Sequence, residues 1–199
     1  MKRVLFNSII FLSSCLLLPS CSDKLEVDLE SAITAPAMWQ DESDAKAAIF
    51  GAYTRMREAF STSYIYWGEY RTGLWGSGLA TNAGYSNAFS NQLNSSHGQA
   101  NWKTLYTTIN DCNLILKYLP EIAFTSEEEK NDVLGQAYYI RAFCYFWIAR
   151  IWGDAPIVLS GFESGSQDDL YPSRQPAADV FAQVEKDLDQ AGALLSENV

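Results

Sequence analysis

The chain has 199 residues, with 24 acidic side chains against 14 basic ones and a formal net charge of −10. The basic residues are nowhere clustered, which argues against a nucleic-acid surface, because Lys and Arg neutralising phosphates supply most non-specific affinity. A single histidine, His97, argues against a histidine-based zinc centre and against a nucleophile activated by a histidine base. His97 lies in the polar run NSSHGQ and reads as a solvated loop residue. No metal, cofactor or catalytic residue is expected.

Lys2 and Arg3 precede an apolar run over residues 4–18, too short for a comfortable membrane span. The run ends in Leu18-Pro19-Ser20-Cys21, which resembles a bacterial lipoprotein box. That resemblance implies cleavage before Cys21 and acyl chains on Cys21, and hence a mature protein tethered to a membrane without spanning it. An acidic residue close behind Cys21, in Ser22-Asp23-Lys24-Leu25-Glu26, resembles the surface-export signal of Bacteroidetes lipoproteins. Residues 1–20 are therefore read as a leader, 21–42 as a lipidated tether and 43–199 as the helical domain. Cys15 would leave with the leader. Cys112 and Cys144 fall on consecutive predicted helices, offset by roughly 15 Å at the helical rise. A disulfide needs a much closer approach, so both are expected free and buried.

The first predicted helix runs from Ser43 to Phe60, capped by Asp41 or Ser43. Ala45, Ala48, Ile49, Ala52, Tyr53 and Met56 form its apolar stripe, and Gly51 within it suits a close helix contact. A shorter helix is expected over Ile65 to Leu74, with Glu69 and Arg71 as a weak local ion pair. From Gly73 to Gln99 the chain is rich in Gly, Ser and Asn, with Trp75, Tyr85 and Phe89 spaced through it. A loop this long is usually functional. Its aromatics are either packed feet or platforms for a ligand.

A clear helix follows over Asn101 to Leu119, ended by Pro120. Ser126 and Glu129 form a capping box for the next. That helix carries two adjacent apolar stripes, one through Val133, Ala137, Ile140, Cys144, Trp147 and Ile151, the other through Leu134, Tyr138, Tyr145, Ile148 and Trp152. It needs neighbours on several sides. Arg141, inside a stripe, needs a carboxylate or helix-end carbonyls. Gly153 supplies a left-handed end and Pro156 prevents continuation. Residues 161–172 are a polar excursion in which Asp168-Asp169 reads as solvation. Pro176 opens the last helix, with Val180, Phe181, Val184, Leu188, Ala191 and Leu195 as its stripe. These helices are too few to cover residues 133–152. The expectation is a piece of a longer protein or a partly exposed core. The fold class is all-α, with tetratricopeptide-like helical hairpins and long irregular loops.

The lipobox, DAKAAIFGAY, WKTLYTTINDCNLIL, GQAYYIRAFCYFWIARIWGDAPIV and SRQPAADVFAQVEKDLDQA occur here in the order found in SusD/RagB-type outer-membrane lipoproteins. The chain resembles the N-terminal part of that family. The resemblance implies a non-catalytic, surface-exposed protein, lipid-anchored to the outer membrane, that binds nutrients, usually glycans, as a lid on a SusC-like TonB-dependent transporter. It implies an arc of binding aromatics drawn partly from the loop before the repeat helices. Trp75 and then Tyr85 are the candidate stacking platforms, and Asn82 and Asn87 the candidate hydrogen-bonding groups. Alternatives are capture of a peptide or other nutrient by the same architecture, a non-binding helical adaptor in which Trp75 and Tyr85 are buried, and a glycosidase. The last needs two carboxylates across a cleft.

Overall fold

Asp41 starts the first helix by accepting hydrogen bonds from the N–H groups of Ser43 (2.8 Å) and Asp44 (3.1 Å) on its Oδ1, the expected cap. The helix, α1, spans Glu42–Ser61. This computed structural model describes residues 38–61, 63–76, 83–163 and 171–196. Cys21, Asn82 and the Asp168-Asp169 pair lie outside those residues. After α1 come α2 (Ser63–Trp67), α3 (Ala83–Phe89), α4 (Lys103–Tyr118), α5 (Glu127–Trp152) and α6 (Ala177–Leu194). The strand pairing among the described residues is a two-residue antiparallel ladder, β1 (Ala155–Pro156) against β2 (Arg174–Gln175). The all-α expectation holds. No described helix is long and apolar enough to cross a membrane.

The centre is α5, with α1, α4 and α6 packed around it. Val133, Ala137, Ile140, Cys144 and Ile148 are buried along its length. Three helices do not enclose its circumference. Tyr139 and Phe146 of α5 stay 42% and 37% exposed, and Phe181 and Leu188 of α6 38% and 44%. The close helix contact expected at Gly51 falls elsewhere, because a Cβ there would meet nothing within 4 Å. At Gly135 a Cβ would stand 2.8 Å from Leu195 Cγ and 3.2 Å from its backbone N, so this glycine lets the end of α6 approach α5.

The polar residues of the central motif tie the scaffold together. Arg141 forks onto Asp187 of α6, Nε to Oδ2 at 2.8 Å and Nη2 to Oδ1 at 2.7 Å. Its Nη1 donates to Asn113 Oδ1 of α4 at 2.7 Å. Burial works against the guanidinium's charge, but the Asp187 carboxylate outweighs it and holds the group above its ordinary range. Asn113 Nδ2 in turn donates to Val158 O (3.0 Å). Tyr145 Oη donates to Val158 O (2.8 Å) and accepts from Val158 N (2.7 Å). Beyond the short β1–β2 ladder, the chain leaving α5 is thus held by side chains. Gly153 has φ 73° and closes α5 through its N–H to Ala149 O. Asp154 then accepts from Ala177 N at 2.9 Å, capping α6 from a distance. Pro176 occupies the N-cap position instead of the first turn.

Half of the expected capping box forms. Ser126 Oγ accepts from Glu129 N, but the Glu129 carboxylate pairs with Lys46 at 2.5 Å instead of reaching back. Lys46 also meets Glu42 at 2.6 Å, and Glu42 accepts from Thr125 N at 2.9 Å. Lys46 first, then the Thr125 N–H, lowers the Glu42 carboxyl from 4.5 to about 2. A carboxyl lowered on folding contributes stability that is complete above its unfolded value and lost as pH falls through its folded value. Glu42→Gln should therefore destabilise at pH 7 relative to the parent chain, by a small amount because the pair is exposed. The gap should close between pH 4.5 and 2. Urea melts at both ends of that window check it, and a gap unchanged with pH would refute the latch.

Cys112 and Cys144 are free and buried, as expected. Burial pushes both thiols well above their ordinary range, and for Cys112 the nearby Cys144 adds to it. Neither should react with a thiol reagent at pH 8 in the folded chain, and both should react in denaturant. Fast labelling under native conditions would contradict this packing.

Candidate functional site

Large aromatics collect where several helices end. Trp67 is the last residue of α2, Trp152 the last of α5, and Trp102 the N-cap of α4. Trp152 packs edge-on against both others, with ring centroids 5.2 Å from Trp67 and 5.8 Å from Trp102. Its indole N–H donates to Ala100 O at 3.2 Å, which fixes the ring's orientation. These rings and Ile151 form the floor of a cavity of about 420 Å³. Trp67 is buried beneath, while Trp102 and Trp152 are half-buried.

The rim is polar and comes from the turn after α2, the segment between α3 and α4, and β2. It carries Arg71, Asn91, Asn94, Ser95, Asn101 and Arg174. Asn91 has φ 55°, a left-handed conformation that Asn tolerates better than most residues. It ends α3 in a Schellman arrangement, with Gln92 N–H to Asn87 O at 2.8 Å and Asn91 N–H to Ala88 O at 3.1 Å. Its side chain accepts from Arg71 Nε at 3.0 Å. The ion pair expected between Glu69 and Arg71 is therefore replaced by Arg71–Asn91. Asn94 Oδ1 accepts from Ser96 N and Oγ, and Asn101 Oδ1 caps α4 through Lys103 N. The ladder β1–β2 sets Arg174, whose Cζ lies 5.1 Å from the Trp102 ring centroid.

No Asp or Glu is among the residues lining this cavity, so the described residues bring no glycosidase-type carboxylate pair to it. No cluster of His, Cys, Asp and Glu among the described residues is arranged to hold a metal ion. The chemistry on offer is ring stacking plus hydrogen bonding from amides and guanidinium groups.

Residues 28–199 match the family model SusD-like_3, described as starch-binding associating with outer membrane. The chain belongs to this SusD-like family. It is similar to SusD-like protein P38 of Formosa agariphila, 32% identical over 195 residues covering 96% of this chain and 38% of that protein. Among solved structures it is similar to NanU of B. fragilis, with TM-score 0.73 and 26% identity over 86% of this chain and 34% of that one. A SusD superfamily protein of Bacteroides vulgatus matches with TM-score 0.69 and 26% identity, covering 80% and 32%. The chain thus spans about a third of the length of these SusD-like relatives.

The SusD-like fold brings Trp75 and Tyr85 together around Tyr70 and leaves them outside the lining of this cavity. Trp75 is 53% exposed, its ring edge-on to Tyr70 at 5.7 Å. Tyr85 is half-buried and stacks on Tyr66 at 5.1 Å with its edge toward Tyr70. Burial, and Tyr85 beside it, push the Tyr66 phenol up to about 12. Asn87 stands 2.6 Å from His97 Nε2. His97 is not a freely solvated loop residue: its Nδ1 accepts from Asn94 N at 3.0 Å. The imidazole is thus held between the Asn94 backbone at Nδ1 and the Asn87 amide Nδ2 at Nε2. Neither Trp75, Tyr85 nor Asn87 lines the cavity. The segment read as an irregular loop contains α3, which Tyr85 and Phe89 pin against Tyr70. Sequence reasoning missed the cavity itself. The available signal was three tryptophans placed at helix ends, where a core residue has no need to be so large.

Proposed function

We propose that this chain is the N-terminal helical part of a surface lipoprotein that captures glycans for uptake. The carrying observation is the cavity floored by Trp67, Trp102 and Trp152 and rimmed by amides and guanidinium groups. Apolar faces of sugar rings stack on flat aromatics, and their hydroxyls need donors and acceptors at the edge. The family's description as starch-binding associating with outer membrane supports the same reading. In this proposal Trp102 and Trp152 meet the sugar, and Trp75, with its exposed ring, is an outer platform. Tyr85 and Asn87 act by holding α3 in place, and Asn82 is a further candidate hydrogen-bonding group. Cys21 carries the acyl anchor, the residues between it and the start of α1 are the tether, and a SusC-like TonB-dependent transporter is the partner. The protein binds and does not catalyse.

The test uses the gene product tagged at its natural C-terminus and extracted in mild detergent. Mass spectrometry should find acyl chains on Cys21 and a TonB-dependent barrel in stoichiometric company. Titration with neutral and acidic oligosaccharides should give saturable binding. An unacylated product recovered without a barrel and binding no oligosaccharide would overturn the proposal.

A further inference from the structure

We infer that the tryptophan-floored cavity selects an acidic sugar, one bearing a carboxylate or a sulfate ester. This rests on the glycan-binding reading and narrows it. The chain is strongly acidic as a whole, 24 acidic residues against 14 basic, yet the cavity lining reverses that balance: two arginines and no carboxylate. Two of the six described arginines have an acidic partner. Arg141 takes Asp187 and Arg55 takes Asp111. Arg71 and Arg174, like Arg57 and Arg150, pair with no carboxylate among the described residues, but they alone line this cavity. Arg71 spends its Nε on the neutral Asn91 amide at 3.0 Å. Arg174 lies against the Trp102 ring at 5.1 Å.

Both placements leave charge-recognising groups available. With Nε tied to Asn91, the terminal nitrogens of Arg71 remain to donate. A guanidinium stacked on an indole keeps its in-plane N–H donors for a second partner and loses little freedom when it uses them. Two planar forks at the edge of an aromatic floor suit a group with two or three coplanar or clustered oxygens, bound bidentately. Asn94 and Ser95 on the same rim serve the ring hydroxyls. A neutral sugar would use the floor and the amides and would offer the two guanidinium groups only uncharged hydroxyl acceptors.

The experiment compares matched pairs with the same backbone. Oligogalacturonides are offered de-esterified and fully methyl-esterified, and sulfated galactans are offered intact and desulfated. Affinity is read by titration calorimetry on the full chain at low and at physiological salt. At least one acidic member should bind on the order of tenfold to a hundredfold more tightly than its neutral counterpart, with the preference weakening as salt rises. Which pair responds distinguishes carboxylate from sulfate. Arg174→Gln and Arg71→Gln, each checked by thermal melting, should erase the preference, the acidic member losing far more affinity than the neutral one. Equal affinity for both members of every pair, or a preference that survives both substitutions, would overturn the inference and leave the glycan-binding reading intact. Absence of binding to every member would overturn both.

Discussion

Arg141→Met is expected to lower the unfolding free energy by about 3–5 kcal/mol, since removing one partner of a buried ion pair strands the other charge. Asp187 is 1% exposed and would keep only the Gln183 amide, at 2.8 Å, as a neutral partner. Asn113 would lose the donor to its Oδ1 at the same time. With total stabilities of about 5–15 kcal/mol for folded domains, this is a large share. The double variant Arg141→Met with Asp187→Leu should recover most of the loss, because an apolar pair of similar volume replaces the ion pair without leaving a charge behind. Denaturant melts of the four chains in the cycle measure this. Strictly additive losses, or a single-variant loss below about 1 kcal/mol, would mean the network is not what joins α4, α5 and α6.

Trp102→Ala is expected to weaken oligosaccharide binding by about tenfold to a hundredfold, the scale of an aromatic anchor at the centre of an interface. The ring does three things at once. It lines the cavity, packs edge-on against Trp152 at 5.8 Å and carries Arg174 against its face. Removing it takes away stacking area and frees the guanidinium. Trp75→Ala should weaken binding less, about threefold, because that exposed ring lies outside the cavity. Tyr85→Phe should change affinity little, since the Tyr85 ring is stacked on Tyr66. Calorimetric titration of the three variants, with melts to confirm folding, orders them. The reverse order, with Trp75→Ala costing most, would move the site to the loop.

The long helices were legible because each buries one face at a 3.6-residue period. Ala45, Ala48, Ile49 and Ala52 are buried along α1, and Leu105, Ile109 and Cys112 along α4. Helix ends were legible wherever a single residue carries the signal, as with Asp41, Ser126 and Gly153. The need for a partner on Arg141 was also readable, because a guanidinium between apolar neighbours cannot be left alone. Its identity was not: Asp187 sits on the hydrophobic side of α6 and lies 46 residues away. Helix α3 escaped notice because its seven residues, AGYSNAF, are too few for a period to show and contain residues that favour turns. The cavity escaped for a different reason. Its floor comes from Trp67, Trp102 and Trp152, which local patterning places on three separate helices, and only the convergence of helix ends brings them together.

That convergence makes one observable decisive. The chain holds six tryptophans, at positions 39, 67, 75, 102, 147 and 152, so its indole N–H groups give a small, assignable set of nitrogen–proton NMR signals. An oligosaccharide that binds should be titrated into labelled protein and each signal followed. The account predicts saturable shifts of Trp102 and Trp152, a smaller shift of Trp75, and none at Trp39 or Trp147. Saturable binding that moves Trp75 alone, or leaves both Trp102 and Trp152 unmoved, would contradict it.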